Sequence, residues 1–513
     1  MRILLVVDRR NARRWHARLR DRLTRLIPGA SIALVYENGA GGYPVSVDLL
    51  LTLEKLLLRR RHPALCESIA PEPGFDISAA EGDPDVVIDL TGREKLPKAP
   101  SGALVLRPLY AGCPDEMAAI AAGLEGSAPL IGIEDAGRGV VIGQGLPSFE
   151  AATGLTESLD AVFSRTVTLI EQALLSPPRT RDVPSVQTNA PTSRGTASFL
   201  LRSVTRHCAR KIYHLCCHSP HWRIGWRFND GAGVLETGGL GGPQWSVLPG
   251  SSAGFCADPF PVEWRGQSCI FFEFLDYRAG KGAIFAQKFD AKGPSGPPFP
   301  VIEEAWHLSY PSLVVRDGEL FMVPEASASG AVSIYRCIEF PSKWRRESQL
   351  LTGIEAADPT IFRHAGRFWM TSAVRDGFGG YSDTLAIHYA TDLLGPWREH
   401  AERPALVDSR LARPAGAVTT MNGELWRPAQ DCSTGYGKRL ALVRIDALDP
   451  EHFSQTSMGL IAPGRIWPGD RLHTLNRWGR LECIDGAVQT PKNKVLRLLT
   501  ASVARTALLR ASA

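Results

Sequence analysis

The stretch CADPFPVEWRGQSCIFFEF, residues 256–274, contains the unit that decides the fold. It has a polar head followed by Pro, an alternating strand, a turn containing Gly, and a second strand rich in aromatic residues. The unit recurs, so this half of the chain is a repeat protein. The other copies are SYPSLVVRDGELFMVPEAS (309–327), ADPTIFRHAGRFWMTSA (357–373), ARPAGAVTTMNGELWRPAQD (412–431) and the weaker RLHTLNRWGRLECIDGA (471–487).

The spacing of the copies predicts the architecture. Successive heads lie about fifty residues apart, a length that suits one four-stranded blade of a β-propeller. Five units predict five blades, placed between residues 223 and 490. We therefore predict a multidomain protein whose second part is an all-β, five-bladed propeller.

The head of each unit is the candidate site. The innermost strand of a blade points its first residues at the central channel, so the equivalent positions of successive blades surround one funnel. Buried charges are costly unless they are paired, which favours a function over a purely structural role. The heads are Asp258, Tyr310, Asp358, Arg413 and His473.

The chain before the propeller has a different pattern. Residues 1–176 alternate strands and helices, which predicts an α/β domain with a parallel sheet. The loop after the first strand lacks the GxGxxG of dinucleotide sites, so we predict no cofactor. A Pro-rich linker at 177–197, a connecting helix at 198–222 and a basic C-terminal helix at 491–513 complete the predicted organisation.

The bulk composition excludes several classes of protein. The net charge of +5 over 513 residues is diffuse, and no basic motif carries interleaved aromatics, so nucleic acid is not a predicted partner. The apolar run at the N-terminus is too short for a signal peptide, and no apolar run reaches about eighteen residues. We therefore predict a cytoplasmic protein. The sequence predicts no particular oligomeric state.

Two further segments have compositions that bear on binding. Residues 493–513 have no acidic residue and an apolar stripe at helical spacing, which fits a helix packed on a neighbouring domain or one lying on the inner face of an anionic membrane. Seven His and Cys residues lie between His207 and His221 without a paired CxxC. That pattern favours an amphipathic helix over a zinc site, so we predict no metal.

Residues 245–490 resemble two related groups of proteins. The ADPF, ADPT and YATDLLGPW stretches resemble the five-bladed propellers of glycoside hydrolase family 43. The stretches WHLSYPSLVVRDGELFMVPEAS, AADPTIF, RPAGAVTTMNGELWRPAQDCSTGYG and HTLNRWG resemble more specifically the N-terminal domain of plant glucosamine inositolphosphorylceramide transferase and its bacterial counterparts.

The hydrolase resemblance implies roles for several residues. Carried over by position, Asp258 would be the general base and Asp358 would tune the acid. The position of the acid is occupied by Arg413, which cannot donate a proton near neutral pH. Glu325, on the second strand of the second blade, is the candidate substitute, with a surface or turn carboxylate as the alternative.

The fourth unit adds polar groups near its strand end. Together with Arg413 and His473 they suggest recognition of an anionic group, because guanidinium forks suit phosphate or carboxylate. We therefore predict that the funnel binds a phosphorylated or acidic sugar, or a glycolipid head group. The added candidates for substrate binding are Arg427, Gln430, Asp431 and Tyr436.

The N-terminal domain has a weaker resemblance to formyltransferase-like folds, through the stretch GLEGSAPLIGIEDAGRGVVIGQGLPSFEAATGLTESLDAVFSRTVTLIEQAL. The catalytic Asn and His of that family are not recognisable in this chain, which implies a degenerate domain. The function predicted for the whole is a carbohydrate-active or carbohydrate-binding propeller in glycan or glycolipid assembly. The alternatives are a glycoside hydrolase, with Asp258 as base and Glu325 as acid, and a non-catalytic sugar-binding scaffold.

Overall fold

The computed structural model describes residues 1–57, 62–71, 83–95, 102–175, 192–251, 253–375 and 379–492. Most of the linker predicted at 177–197 lies outside these residues, and so does the predicted C-terminal helix from residue 493 onward.

The N-terminal domain is a six-stranded sheet covered by helices. Its strands are β1 (Arg2–Asp8), β2 (Ser31–Glu37), β3 (Val86–Leu90), β4 (Leu104–Tyr110), β5 (Ile131–Asp135) and β6 (Val140–Gly145). Its helices are α1 (Arg14–Leu26), α2 (Val45–Leu57), α3 (Glu116–Glu125) and α4 (Leu155–Leu175). The strand order is β2-β1-β3-β4-β5-β6.

The sheet is mixed. Strands β1 to β4 pair in parallel, as predicted, whereas β5 and β6 pair antiparallel. Only a short turn joins β5 to β6, and a parallel pair needs a longer crossover connection. The α/β domain predicted from the alternating pattern is therefore confirmed, and the sheet is parallel over its first four strands.

Two helices show why this domain folds on its sheet. Trp15, Leu19 and Leu23 recur every four residues along α1 and are buried on the face that packs against the core. Helix α4 is buried along most of its length, including the charged Arg165. It packs against β5 and β6 on one side and contacts the propeller on the other, which explains why the helix is buried nearly all round.

One helix leads from the first domain into the propeller. Helix α5 (Ser193–Cys216) packs against α2 and α3, and strand β7 (Cys217–Phe228) follows directly. The short helix α6 (Val234–Thr237) and strand β8 (Ser246–Val247) come next. The sequence analysis placed this helix at 198–222 and the propeller from 223. The strand begins six residues earlier because Cys217 to His221 pair with the end of the chain.

Four blades are contiguous in sequence, and each has its innermost strand first. The first two consist of β9 (Gly254–Trp264), β10 (Gln267–Asp276), β11 (Lys281–Asp290), β12 (Gly293–Ile302), and of β13 (Ser309–Arg316), β14 (Glu319–Glu325), β15 (Ala331–Glu339), β16 (Lys343–Thr352). The third consists of β17 (Ala356–His364), β18 (Arg367–Val374), β19 (Thr384–Ala390), β20 (Arg398–Glu399) and β21 (Leu406–Val407). The fourth consists of β22 (Thr419–Met421), β23 (Glu424–Asp431), β24 (Arg439–Leu448) and β25 (Phe453–Ile461).

The fifth blade is composite. Strands β26 (Leu475–Trp478) and β27 (Leu481–Pro491) come from the end of the described chain and pair with β7 and β8 in the order β26-β27-β7-β8. The pairing of β27 with β7 joins the two ends of the propeller and closes the ring. The prediction of five blades is confirmed.

Hydrophobic side chains fill the spaces between blades. Between the first and second blades, Val262 and Phe271 pack with Leu320 and Tyr335 in one buried cluster. Similar clusters lie between the following blades. Each blade therefore buries its two faces against its neighbours, which a single blade cannot do alone.

The N-terminal domain docks on the propeller at the third and fourth blades. Arg165 of α4 forms a fully buried ion pair with Asp383, with 2.6 Å between Nη2 and Oδ1. Asp383 also accepts the backbone N–H of Ser148, and the N–H of Leu146 donates to the carbonyl of Val407. These propeller residues lie at the end of the third blade where β17 begins, which is the end that carries the heads.

Within the described ranges, no helix combines the length and the apolar character needed to cross a bilayer. The predicted cytoplasmic location stays a prediction.

A buried ion pair fastens the closing blade. Arg227 on β7 and Glu482 on β27 lie 2.6 Å apart between Nη2 and Oε2. Arg227 also donates to the carbonyls of Leu240 and Gly241, and Glu482 accepts the N–H of Val234. This pair therefore holds both strands and the connection that follows β7.

We expect Glu482→Gln to destabilise the protein by about 3–5 kcal/mol, because it leaves the buried charge of Arg227 uncompensated. Unfolding in urea, followed by tryptophan fluorescence, measures this free energy. The control is Glu339→Gln, which removes the partner of Lys343 at an exposed site and should cost less than about 1 kcal/mol. Equal effects of the two substitutions would show that the Arg227 pair does not secure the closure.

Candidate functional site

The five predicted heads lie together at one end of the propeller axis. They sit at or next to the inner strands, which contact one another around the ring. All five side chains are buried. We call this group, together with the side chains that contact it from the second strands, the funnel.

Three heads have an unusual backbone. Asp258, Tyr310 and Asp358 have φ of 53°, 44° and 51°, in the left-handed region that costs a residue with a Cβ roughly 1–2 kcal/mol. Each precedes Pro at an irregularity in the pairing of the inner strand with its neighbour. A bulge of this kind redirects a side chain, and these three side chains enter the funnel.

One side of the funnel is built around His473. Its Nδ1 lies 2.7 Å from Oδ2 of Asp485, and its Nε2 lies 3.8 Å from Oδ1 of Asp258. The hydroxyl of Thr474 donates to Asp258 Oδ1 at 2.8 Å. Asp485 Oδ2 also accepts the backbone N–H of Asp258 at 3.0 Å, so the first and last blades meet at this cluster.

These contacts shift the protonation of both groups. The pKa of Asp258 is raised to about 6, chiefly by burial; His473 opposes the rise, and Asp485 and Asp358 contribute to it. Burial lowers the pKa of His473, but the carboxylates of Asp485 and Asp258 outweigh burial and raise it overall. Asp258 is therefore a carboxyl group whose charge changes near neutral pH.

The opposite side of the funnel is built around Asp358. Its Oδ2 accepts Nε of Arg413 at 2.6 Å and the side-chain amide of Gln430 at 2.9 Å. Glu325 Oε2 lies 3.8 Å from Nη2 of Arg413 and accepts the N–H of Asp358 at 3.4 Å. The structure therefore brings Glu325 into the funnel, beside the third and fourth heads.

The charge of Arg413 is compensated. The pKa of Asp358 is raised to about 7, chiefly by burial; Arg413 opposes the rise and Glu325 adds to it. For Arg413 itself, burial opposes the charged form, but Asp358, Tyr436 and Glu325 raise its pKa well above the usual range. The carboxylates of Asp358 and Glu325 thus both pair with the guanidinium of Arg413.

Aromatic rings line the funnel between these charged groups. The ring of His473 stacks on Trp222 with centroids 3.8 Å apart, and the ring of Tyr436 meets both of them edge to face. The guanidinium of Arg413 lies 4.9 Å from the centre of the Tyr436 ring. The Tyr310 hydroxyl is hydrogen-bonded to Thr360 at 2.9 Å.

Two of the predicted binding residues have other partners. Arg427 donates to the carbonyl of Leu411 and to Gln455 Oε1, within its own blade. Asp431 pairs with Arg439 at 2.7 Å and accepts the hydroxyl of Ser433. Their contacts belong to the fourth blade, whereas Gln430, between them in sequence, contacts the head Asp358.

Two acidic residues of the funnel are not among those predicted from the sequence. Asp485 holds His473, and Glu273 lies opposite Ala257, next to the first head. Burial raises the pKa of Glu273 well above its usual range, and the carboxylates of Asp258 and Glu325 add to the effect. A signal was available: Glu273 stands seven residues after the turn glycine Gly266, as Glu325 does after Gly318 and Gln430 after Gly423.

The N-terminal domain supplies one more carboxylate. Glu150 Oε1 accepts the hydroxyl of Ser382 at 2.5 Å, beside the docking contacts of the third blade. Burial raises the pKa of Glu150, and Arg413 lowers it. This carboxylate is therefore close enough to the funnel to interact with its arginine, which no pattern within the propeller repeats could indicate.

Asp258, His473 and Asp485 also have the chemistry of a cation site, since their ligand atoms lie within 4.8 Å of one another. In the present geometry, His473 Nδ1 and Asp485 Oδ2 are at hydrogen-bond distance. A metal ion bound by both side chains would have to replace that hydrogen bond. His473 and Asp485 therefore already satisfy each other without a metal ion.

Comparison with known proteins matches the propeller. Residues 246–481 match the family described as glucosamine inositolphosphorylceramide transferase 1, N-terminal, so the resemblance inferred from the sequence is confirmed for this region. Glucosamine inositolphosphorylceramide transferase 1 of Arabidopsis thaliana is 33% identical over 233 residues, which cover 44% of this chain and 30% of the plant protein. The protein of the same name from Oryza sativa subsp. indica is 30% identical over 237 residues and is covered over 32% of its length. The chain thus matches about a third of the length of these relatives.

Solved structures with similar folds include glycoside hydrolases. The catalytic domain of the Coprinopsis cinerea GH62 α-L-arabinofuranosidase has a TM-score of 0.35 and 14% identity, and covers 50% of this chain and 85% of its own. A thermostable family-43 glycoside hydrolase has a TM-score of 0.32 and 15% identity, and covers 44% of this chain and 85% of its own. The formyltransferase resemblance of the N-terminal domain stays a prediction.

The raised pKa of Asp258 predicts a pH-dependent stability. A carboxyl group whose pKa is higher in the folded state stabilises the fold at low pH, and this contribution is lost as the pH rises from about 4 to the folded-state value. That value is about 6. We therefore expect the stability of Asp258→Asn relative to the wild type to increase by about 2–3 kcal/mol between pH 4 and pH 8.

Urea unfolding at the two pH values measures this difference. Asn keeps an acceptor for the Thr474 hydroxyl and tolerates a positive φ. The control is Asp317→Asn, which makes the same substitution at an exposed residue with a similar backbone, φ of 50°, outside the funnel. A pH-independent effect of Asp258→Asn would contradict the burial of an ionisable group at this head.

Proposed function

We propose that the funnel binds the sugar portion of a glycan or glycolipid, in a pathway that assembles such molecules. The observation that carries the proposal is the convergence of acidic, amide and aromatic side chains at the head end of the propeller. Carboxylates and amides accept and donate hydrogen bonds to sugar hydroxyls, and aromatic faces suit the apolar side of a sugar ring.

The charge balance bears on which sugar would bind. Among the described funnel residues, the basic side chains Arg413 and His473 are outnumbered by four acidic ones: Asp258, Glu325, Asp358 and Asp485. A fifth, Glu273, has a pKa that burial raises well above its usual range. A phosphate or carboxylate entering the funnel would compete with carboxylates already paired to Arg413. This balance favours a neutral sugar or an amino sugar over the phosphorylated or acidic sugar expected from the sequence.

The plant relatives support the same class of ligand. Their name contains glucosamine, which is an amino sugar. Since only about a third of their length is matched, a transferase activity of this chain would be a separate proposal, and binding is the part that the funnel itself supports.

A hydrolytic or transfer reaction is a second candidate, favoured by one observation. Asp258 and Glu273 are neighbouring carboxyl groups, and burial raises the pKa of both, with Glu273 well above its usual range. A protonated acid beside a carboxyl that ionises near neutral pH is the pair that glycoside cleavage requires. Glu273 would then take the role that the sequence assigned to Glu325.

Binding can be measured by isothermal titration with glucosamine, glucose, a hexose phosphate and glucuronic acid. We expect glucosamine to bind most tightly. Glu325→Gln should weaken its binding about tenfold, because a hydrogen bond to a charged group contributes about 1.5–3 kcal/mol. Glu319→Gln, at the exposed outer end of the same strand, is the matched control.

The outcomes separate the alternatives. Preferential binding of the hexose phosphate or the uronic acid, lost in Arg413→Ala, would overturn the charge argument and support the anionic sugar. Absence of binding for all four sugars would overturn the proposal itself.

Turnover of aryl glycosides tests the second candidate. If the protein cleaves them, Glu273→Gln should lower kcat by a factor of at least about a hundred, as expected on loss of a general acid. The exposed Glu263→Gln on the preceding strand should leave kcat unchanged. Loss of turnover in Glu325→Gln with full activity in Glu273→Gln would show that Glu325, and not Glu273, is the general acid.

A further inference from the structure

The most exposed large apolar side chains of the described residues lie on two neighbouring helices. Helices α2 and α5 pack against each other, and the six highest exposures all belong to them. They are Val45 (86%), Leu215 (78%), Leu56 (75%), Leu57 (70%), Leu201 (69%) and Leu49 (59%). A patch of this kind on a folded protein marks a site of interaction with a partner or a membrane.

These side chains are not an unfilled part of the core. Helix α2 buries Val47 and Leu50, and α5 buries Phe199, all in the core cluster of the N-terminal domain. Each helix thus has a packed face and, separately, an exposed apolar one. Along α5 the exposed Leu201, Val204 and Leu215 follow intervals of three and eleven residues, which place them on one side of a helix.

The charge along α5 has one sign, and that sign is positive. The sequence of α5 contains Arg194, Arg202, Arg206, Arg210 and Lys211 and no acidic residue. In α2, Asp48 is paired with Arg13, and Lys55 with Glu67. The chain immediately after α2 continues in sequence with Arg59, Arg60 and Arg61.

The C-terminal segment of the chain starts beside the end of α5. The backbone N–H of Lys492 donates to the carbonyl of Cys216, the last residue of α5. The segment 493–513, which starts there, contains four basic residues and no acidic one. Two acid-free basic segments, one of them carrying exposed leucines, therefore meet at one point of the molecule.

We propose that the exposed face of α2 and α5 docks on the surface of an anionic bilayer. Apolar side chains flanked by Lys and Arg are the composition of interfacial helices, which insert the former at the acyl boundary and place the latter among anionic headgroups. A protein partner would have to supply acidic groups around an apolar surface, whereas an anionic bilayer supplies both at once. This docking does not depend on the sugar proposal.

Co-sedimentation of the full chain with vesicles tests the docking. Vesicles of phosphatidylcholine alone are compared with an equimolar mixture of phosphatidylcholine and phosphatidylserine. We expect binding to the mixture only. Both Leu201→Ser with Val204→Ser and Arg206→Glu with Lys211→Glu should reduce that binding at least about tenfold, the first by removing apolar insertion and the second by reversing charge.

Control variants distinguish binding through the face of α2 and α5 from binding through overall charge or through the C-terminal segment. Lys292→Glu with Arg398→Glu makes the same charge change at exposed positions of the propeller and should leave binding unchanged. A chain ending at Lys492 should retain binding that Arg206→Glu with Lys211→Glu still weakens. Circular dichroism shows whether each variant is folded.

Three results would overturn the proposal. One is that the wild type fails to bind the mixed vesicles. Another is that the charge reversal on α5 has no more effect than the control on the propeller. The third is a dimer in sedimentation analysis that Leu201→Ser with Val204→Ser dissociates, since a second copy would then be the occupant of this face.

Discussion

The antiparallel pairing of β27 with β7 is the contact on which the rest of the propeller depends. It joins the last described strand to the first strand of the repeat region, and the buried pair of Arg227 and Glu482 fastens it. Without it, the first and fourth blades would each expose one face. With it, Asp485 and His473 of the closing blade come into contact with Asp258 of the first. The site therefore exists only when the ring is closed.

Closure concentrates acidic groups in a small buried volume, and the funnel balances them in two ways. Arg413 neutralises Asp358 and Glu325 by direct contact, and His473 lies between Asp485 and Asp258, whose carboxylates raise its pKa. The remaining charge is reduced by proton uptake, because burial raises the pKa of Asp258 and Glu273. The left-handed backbone of three heads is a further cost, and structures retain such costs chiefly at functional sites.

The sequence predicted the repeat, the blade count and the heads, because each is a local pattern repeated at a regular interval. Glu325 was singled out as a substitute for the acid missing at Arg413, and Glu273 was not identified, although the two share a position relative to the turn glycine. Asp485 and Glu150 were beyond this kind of reasoning. Asp485 acts through its contact with the head His473, which precedes it in sequence, and Glu150 comes from another domain. Arg413 was correctly placed at a head, but its cationic character is offset by partners that only the folded ring brings near.

The sequence by itself determined the kind of fold and the positions from which side chains enter the funnel, since strand alternation and turn residues depend on neighbours along the chain. Only the tertiary structure decided the composite fifth blade, the partner of each charge, the docking of the N-terminal domain beside the heads and the exposed face of α2 and α5. The physical reason is that burial and charge pairing depend on residues that are distant in sequence. A head residue such as Asp258 has its backbone conformation set locally, whereas its protonation is set by Asp485 and His473, more than two hundred residues away.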